Sequence, residues 1–157
     1  MKDHRLLLSS DGGLGQILPL PVDAYGRGDL RVKVSVEKTE DGAEPIAGLI
    51  LWVKGESYYR FDVAPISGRA GVTRYAGGRY LRPVELQESA ALKKGLGAVN
   101  ELRVVFSGTQ ATAYINGQKF ADFTGQAPDG GGEVGIFAES NGKTATTSAF
   151  QDFSFRR

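Results

Sequence analysis

Residues 99–120, VNELRVVFSGTQATAYINGQKF, constrain the fold more than any other stretch of the chain. Leu102, Val104 and Phe106 alternate with Arg103 and Val105, and Ala113 and Ile115 alternate with Thr112 and Tyr114. A period of two sends the two sets to opposite faces of a strand. Ser107-Gly108 separates the first two strands, and Asn116-Gly117 separates the second from a third that begins at Gln118. Asn-Gly between alternating segments matches a type I′ hairpin turn, which needs positive φ at both central positions. The stretch is a β-meander. Asn116 reads as a register-setting turn residue, and Asn100 as a side chain that ties down the end of the preceding loop.

The same signals recur along the chain. LRVKVSVE places Leu30, Val32, Val34 and Val36 on one face. Asp41-Gly42 marks the next turn. IAGLILWV is apolar on both faces, as in a strand covered from both sides. YYRFDVA alternates again, with Tyr59, Phe61 and Val63 opposite Tyr58, Arg60 and Asp62. AGVTRY and RYLRPVEL flank Gly77-Gly78 as a hairpin. Residues 89–94 are the one helical candidate, a single turn before Gly95. QKFADF, EVGIFAE (Val134, Ile136 and Ala138 on one side) and the closing TTSAFQDFSFRR complete ten or eleven short strands. Turn signals every 8–12 residues, with no fixed repeat, fit a sandwich or barrel rather than a propeller. Residues 1–28 read as an irregular segment packed on that sandwich. Leu6, Leu7 and Leu8 form a short strand there, Ile17, Leu18 and Leu20 lie across a sheet end, and Pro19 and Pro21 interrupt any ladder.

Length and charge narrow the function. A chain of 157 residues fits one domain, 1–157, large enough to bury its core without covalent staples. It has no Cys, which excludes disulfides and thiolate metal sites. Lys plus Arg number 19 and Asp plus Glu 18, so no basic excess favours nucleic acid. No apolar run reaches the length of a membrane span. The three-Leu run near the start is too short for a signal-peptide core.

From about Gly48 onward, the pieces GLILWV, SYYRFDV, GVTRYAGGRY, NELRV, YINGQKF, EVGIFAE and FQDFSF follow one another in an order similar to that of bacterial laminin-G-like domains. These belong to the concanavalin A-like lectin/glucanase fold. The DLRVKVSV strand extends the resemblance upstream. It implies an all-β, two-sheet antiparallel sandwich of jelly-roll topology and a carbohydrate-binding or adhesion role. It also implies an extracytoplasmic or cell-surface setting. Calcium is the one cofactor it suggests, with Asp122, Asp129, Glu133 and Asp152 as the oxygen ligands on offer. The related 3-keto-disaccharide hydrolase-like domains carry a strand of the form NSG-x-x-x-R, where this chain has IAGLILWVKG. The Glu-x-Asp-x-x-Glu string of the fold's glycanases is absent too. Glu37, Glu40, Asp41 and Glu44 have other spacing around a turn. His4 is the only His, so the galectin-type His-x-Asn-x-Arg string is also missing.

A sugar site on a sheet needs an aromatic plane for the C–H face of the ring and polar groups for its hydroxyls. Trp52, the single Trp, shares a face with Gly48 and Ile50, where the small Gly48 leaves room beside it; core filling is the other role open to it. Tyr58, Arg60 and Asp62 stand on the polar face of their strand, and Arg74, Tyr75, Arg79, Tyr80 and Arg82 form a second Arg-Tyr group. The expected ligand-binding residues are Trp52, Tyr58, Arg60, Asp62, Arg74 and Tyr80, with no catalytic residue and no metal. The expected function is a non-catalytic glycan-recognition or adhesion module. Two alternatives stand beside it: a glycoside hydrolase of the keto-sugar branch centred on Asp62 and Arg60, and a structural accessory domain that packs a sheet face on a protein neighbour.

Overall fold

The computed structural model describes residues 4–10, 16–19, 25–40, 42–141 and 145–157. Leu20, Pro21 and Asp41, named above, lie outside the described residues. The elements are β1 Leu6–Ser10, β2 Gln16–Pro19, β3 Arg27–Thr39, β4 Glu44–Lys54, β5 Ser57–Ala64, β6 Arg69–Ala76, β7 Arg79–Glu88, β8 Asn100–Ser107, β9 Gln110–Ile115, β10 Gln118–Thr124, β11 Glu133–Asn141 and β12 Thr146–Arg156. They form two sheets of six, in the orders β1-β12-β3-β8-β9-β10 and β2-β11-β4-β5-β6-β7. Every pairing is antiparallel. The molecule is a jelly-roll β-sandwich.

The meander folds as its alternation predicts. Asn100, Leu102, Val104 and Phe106 of β8, with Ala111, Ala113 and Ile115 of β9, are buried between the sheets. Asn116 and Gly117 have φ of 50° and 80°, the type I′ requirement. The Asn116 side chain does more than permit the turn. Its Nδ2 donates to Ala91 O at 2.8 Å and to Asn100 Oδ1 at 2.8 Å, while its Oδ1 accepts from Glu101 N at 2.9 Å. Asn100, fully buried, accepts from Lys93 N at 2.8 Å and donates to Lys93 O at 3.0 Å. Two amides therefore satisfy the polar backbone of the 89–99 loop where it crosses the open end of the sandwich. The helical turn expected at 89–94 is not a helix. It is a single turn closed by Leu92 N donating to Ser89 O at 3.2 Å.

The N-terminal residues are more regular than their sequence suggests. Leu6–Ser10 adds an edge strand to the first sheet by pairing with β12, and Gln16–Pro19 adds one to the second by pairing with β11. Pro19 is the last residue of its strand, on an edge, where a missing N–H costs least. β4 is buried over nearly its whole length, as its unbroken apolar run requires.

Candidate functional site

Register in the second sheet decides which side chains meet. Tyr58 of β5 pairs with Tyr75 of β6, and Tyr75 with Tyr80 of β7. Arg60 pairs with Ile50 on one side and Thr73 on the other, and Asp62 with Gly48 and Gly71. Phe137 and Glu139 of β11 pair with Gly48 and Ile46 of β4. Directly opposed residues share a face. Tyr58, Arg60, Asp62, Thr73, Tyr75, Tyr80, Phe137 and Glu139 therefore all stand on the side of the sheet turned away from the other sheet.

At the centre of this face is an ion cluster. Arg60 Nη1 donates to Glu139 Oε2 at 2.5 Å, and Arg60 Nε lies 3.0 Å from Asp62 Oδ1. The second Asp62 oxygen accepts from Thr73 Oγ1. The guanidinium is stacked 4.6 Å from the Phe137 ring centroid and 5.8 Å from that of Tyr80. Arg60 is only 7% exposed and Asp62 2%. The wet polar face expected for β5 is thus a sealed one at these two positions. Three rings lie beside the cluster: Tyr58 stacks on Tyr75 at 5.3 Å, and Tyr75 meets Tyr80 at 4.9 Å. Tyr80 is 59% exposed. Burial, then the hydrogen bond and charge of Tyr80, push the Tyr58 hydroxyl up to about 12, so it remains a neutral donor and acceptor.

Burial also pushes the Asp62 carboxyl up to about 6, against the opposing pull of Arg60 and the Thr73 hydrogen bond. The folded state then holds this proton more tightly than the unfolded chain does, so the group's contribution to stability is greatest below pH 4 and falls as pH rises to about 6. The stability difference between the native chain and Asp62→Asn should therefore fall by about 2 kcal/mol between pH 4 and 6.5. Urea unfolding across that range checks this, and a flat difference would refute it. Asp29 behaves oppositely. Burial raises its carboxyl, but hydrogen bonds from Arg103 and Arg31 outweigh that and hold it at about 2.

Two expected site residues lie elsewhere. Trp52 is 1% exposed and sits edge-on to Tyr59, Phe106 and Phe123, with centroids at 5.1, 5.9 and 6.2 Å. Simple alternation would carry it outward with Gly48 and Ile50. Instead its φ is 53°, and the β4–β5 register shifts between Leu51 and Lys54. Such a bulge re-aims one side chain, and it turns Trp52 into the core. The space over Gly48 is not left for a ligand: a Cβ there would lie 1.8 Å from Phe61 O and 3.0 Å from the Phe137 ring. Arg74 is opposite Tyr59 and Leu81, on the inner side of the sheet. It lies 5.6 Å over the Tyr59 ring and donates to Gln126 Oε1 at 2.5 Å. Of the expected set, Tyr58, Arg60, Asp62 and Tyr80 come together, while Trp52 and Arg74 do not join them.

No protein-family model matches the chain. No curated protein matches it in sequence. Solved structures do match. The carbohydrate binding module CBM66 from Bacillus subtilis superposes with a TM-score of 0.72 at 11% identity, over 94% of this chain and 84% of that one. Sheep galectin-11, solved with glycerol, gives 0.60 at 11% identity over 94% and 99%. The GH43 protein BlXynB from Bacillus licheniformis gives 0.60 at 17%, over 83% of this chain but only 27% of that one. This chain has their β-sandwich fold. At such identities the likeness is one of fold, and these names say nothing about which residues act here.

Glu139, Thr73, Phe137 and Tyr75 complete the cluster and are missing from the expected site set. The alternation in EVGIFAE did hold part of the signal: Phe137 and Glu139 fall opposite Ile136 and Ala138. Of the four carboxylates considered for calcium, Asp129 and Glu133 line one shallow concavity beside Lys54, and the other two lie apart in ion pairs. Asp122 is paired with Lys119 and Thr112, and Asp152 with Lys33. Among the described residues no group of three or more His, Cys, Asp or Glu side chains gathers. Glu37 accepts from Ser35 and pairs with Arg5, and Glu44 accepts from Ser67, so neither forms a carboxylate pair.

Proposed function

We propose that the chain is a non-catalytic carbohydrate-binding module, of laminin-G-like character, that holds its glycan on the Tyr58–Tyr75–Tyr80 face. The observation that carries this reading is the row of three rings beside a charged cluster on one sheet face. The exposed ring of Tyr80 offers the plane that a sugar C–H face needs. Glu139, partly exposed and held by Arg60, offers acceptors for hydroxyls, and the neutral Tyr58 hydroxyl offers both a donor and an acceptor. Arg60 itself is too buried to touch a ligand and acts as a positioning residue for Glu139. The carbohydrate-binding and galectin neighbours support the same class of function through fold alone.

The geometry argues against hydrolysis. Retaining and inverting glycosidases both need two carboxyl groups free to reach the scissile bond. Asp62 is sealed and engaged by Arg60 and Thr73, so it has no path to a substrate.

A glycan array should show discrete hits. For a soluble hit, Tyr80→Ala should weaken binding about tenfold or more by titration calorimetry, because an exposed aromatic anchor dominates such contacts. Stability should fall by no more than about 1–2 kcal/mol, since the ring is largely exposed but also caps Arg60 and meets Tyr75. A folded sample with no array hits, or a Tyr80→Ala variant with undiminished affinity, would remove the proposal.

A further inference from the structure

A concavity lies on the other side of β7 from the tyrosine face. It measures about 530 Å³ and runs along the open edge of the sandwich, between the edge strand β7 and the Thr124–Gln126 segment at the end of β10. Tyr59, Arg74, Leu81, Arg82, Pro83 and Gln126 line it. The volume falls within the usual range of small-ligand sites. Its floor is rigid. Gly125 lies so close to the indole of Trp52 that a Cβ there would come within 2.2 Å of the ring. The Tyr59 hydroxyl accepts from Gln126 N at 2.8 Å and fixes the segment from the other side.

The charge in this crevice is unbalanced. Several cations elsewhere meet carboxylates (Arg5 with Glu37, Arg31 and Arg103 with Asp29, Lys33 with Asp152, Lys119 with Asp122), and others such as Lys38 and Arg79 stand singly on the surface rather than together in a depression. No carboxylate lines the crevice. Among the described residues neither Arg74 nor Arg82 forms an ion pair. Arg74 uses one N–H on the Gln126 amide, and a guanidinium has five to give in a planar fork suited to carboxylate or sulfate. Two like charges in one depression repel each other, and a bound anion removes that cost. Leu81 and Pro83 supply an apolar wall beside them.

We infer that this crevice binds the acidic unit of an anionic saccharide, with Arg74 and Arg82 recognising its carboxylate or sulfate. The inference rests on the reading of the chain as a saccharide-binding module and names the class of sugar it takes. Tyr80 and Leu81 are neighbours in one strand and point to opposite sides, so a glycan passing over the β7 edge reaches both the tyrosine face and the crevice.

The test is calorimetric titration of the full chain with trigalacturonate, with the same trisaccharide as its methyl ester, and with a sulfated chondroitin disaccharide. At least one acidic probe should bind, and the neutral ester at least tenfold more weakly than its free acid if the carboxylate is recognised. The stronger acid tells carboxylate from sulfate. Arg74→Gln and Arg82→Gln should each weaken the acidic probe about tenfold, whereas Lys38→Gln, an exposed charge on the other sheet, should not. Failure of both acidic probes, equal binding of acid and ester together with a weak sulfated probe, or a preference that survives both arginine substitutions would overturn the inference. Neutral glycans that depend on Tyr80, with no gain from an acidic group, would leave the tyrosine-face reading standing and remove the crevice. Acidic probes that depend on Arg74 and Arg82 but not on Tyr80 would do the reverse.

Discussion

Replacing Arg60 with Met should lower the unfolding free energy by about 3–5 kcal/mol, the usual cost of leaving buried charge without its partner. The substitution keeps much of the side-chain volume, so the loss is mostly electrostatic. Asp62 would keep only the Thr73 hydroxyl, and Glu139 would lose its guanidinium contact. The two carboxylates would then face each other across an apolar site, and both would hold protons more tightly. Coupling is the sharper signature. Adding Asp62→Asn and Glu139→Gln to Arg60→Met removes the orphaned charges and should restore more than half of the lost stability, because residues of one network are not additive. Urea unfolding of the single and triple variants measures both quantities. A loss below about 1 kcal/mol for Arg60→Met would mean the cluster is not an energetic unit.

Trp52→Ala should cost about 3–5 kcal/mol, as expected for deleting a fully buried indole. Its ring is the common neighbour of Tyr59, Phe106 and Phe123, and it props up Gly125. Trp52→Phe should cost less than about 2 kcal/mol. It keeps most of the packing and deletes an indole N–H that is buried without a partner. Thermal or urea unfolding ranks the three proteins, and equal losses for Ala and Phe would contradict the packing account. Trp52 is the only Trp, so its fluorescence reports the core directly.

What could be read in advance was what depends on near neighbours. The alternation of residues 100–115 and the Asn116-Gly117 turn are local properties, and both fold as their patterns require. The sealing of Arg60 is not local, because it depends on β11 lying beside β4 and bringing Glu139 across 79 positions of sequence. Alternation alone cannot say which strand becomes a neighbour. Trp52 defeated the period-two argument because a left-handed residue broke the period at that point. Arg74 is different. It is adjacent in sequence to Tyr75, so period-two parity alone places the two on opposite faces of β6.

The strand order carries a consequence for how the chain acquires this structure. β12 lies between β1 and β3, and β11 between β2 and β4, so the last strands of the described chain are interior members of both sheets. A chain emerging from the ribosome can zip the β4–β5–β6–β7 and β8–β9–β10 meanders as it goes, since these join sequence neighbours. β3 can join β8 early, but β1 and β2 cannot pair at all, and β3 and β4 each lack one partner, until residues 133–156 are free of the exit tunnel. Until then β3 and β4 present unpaired edges, the surfaces that invite association with other chains. The domain thus closes from its C-terminal side, and its exposure to misassembly lasts until β11 and β12 have been made.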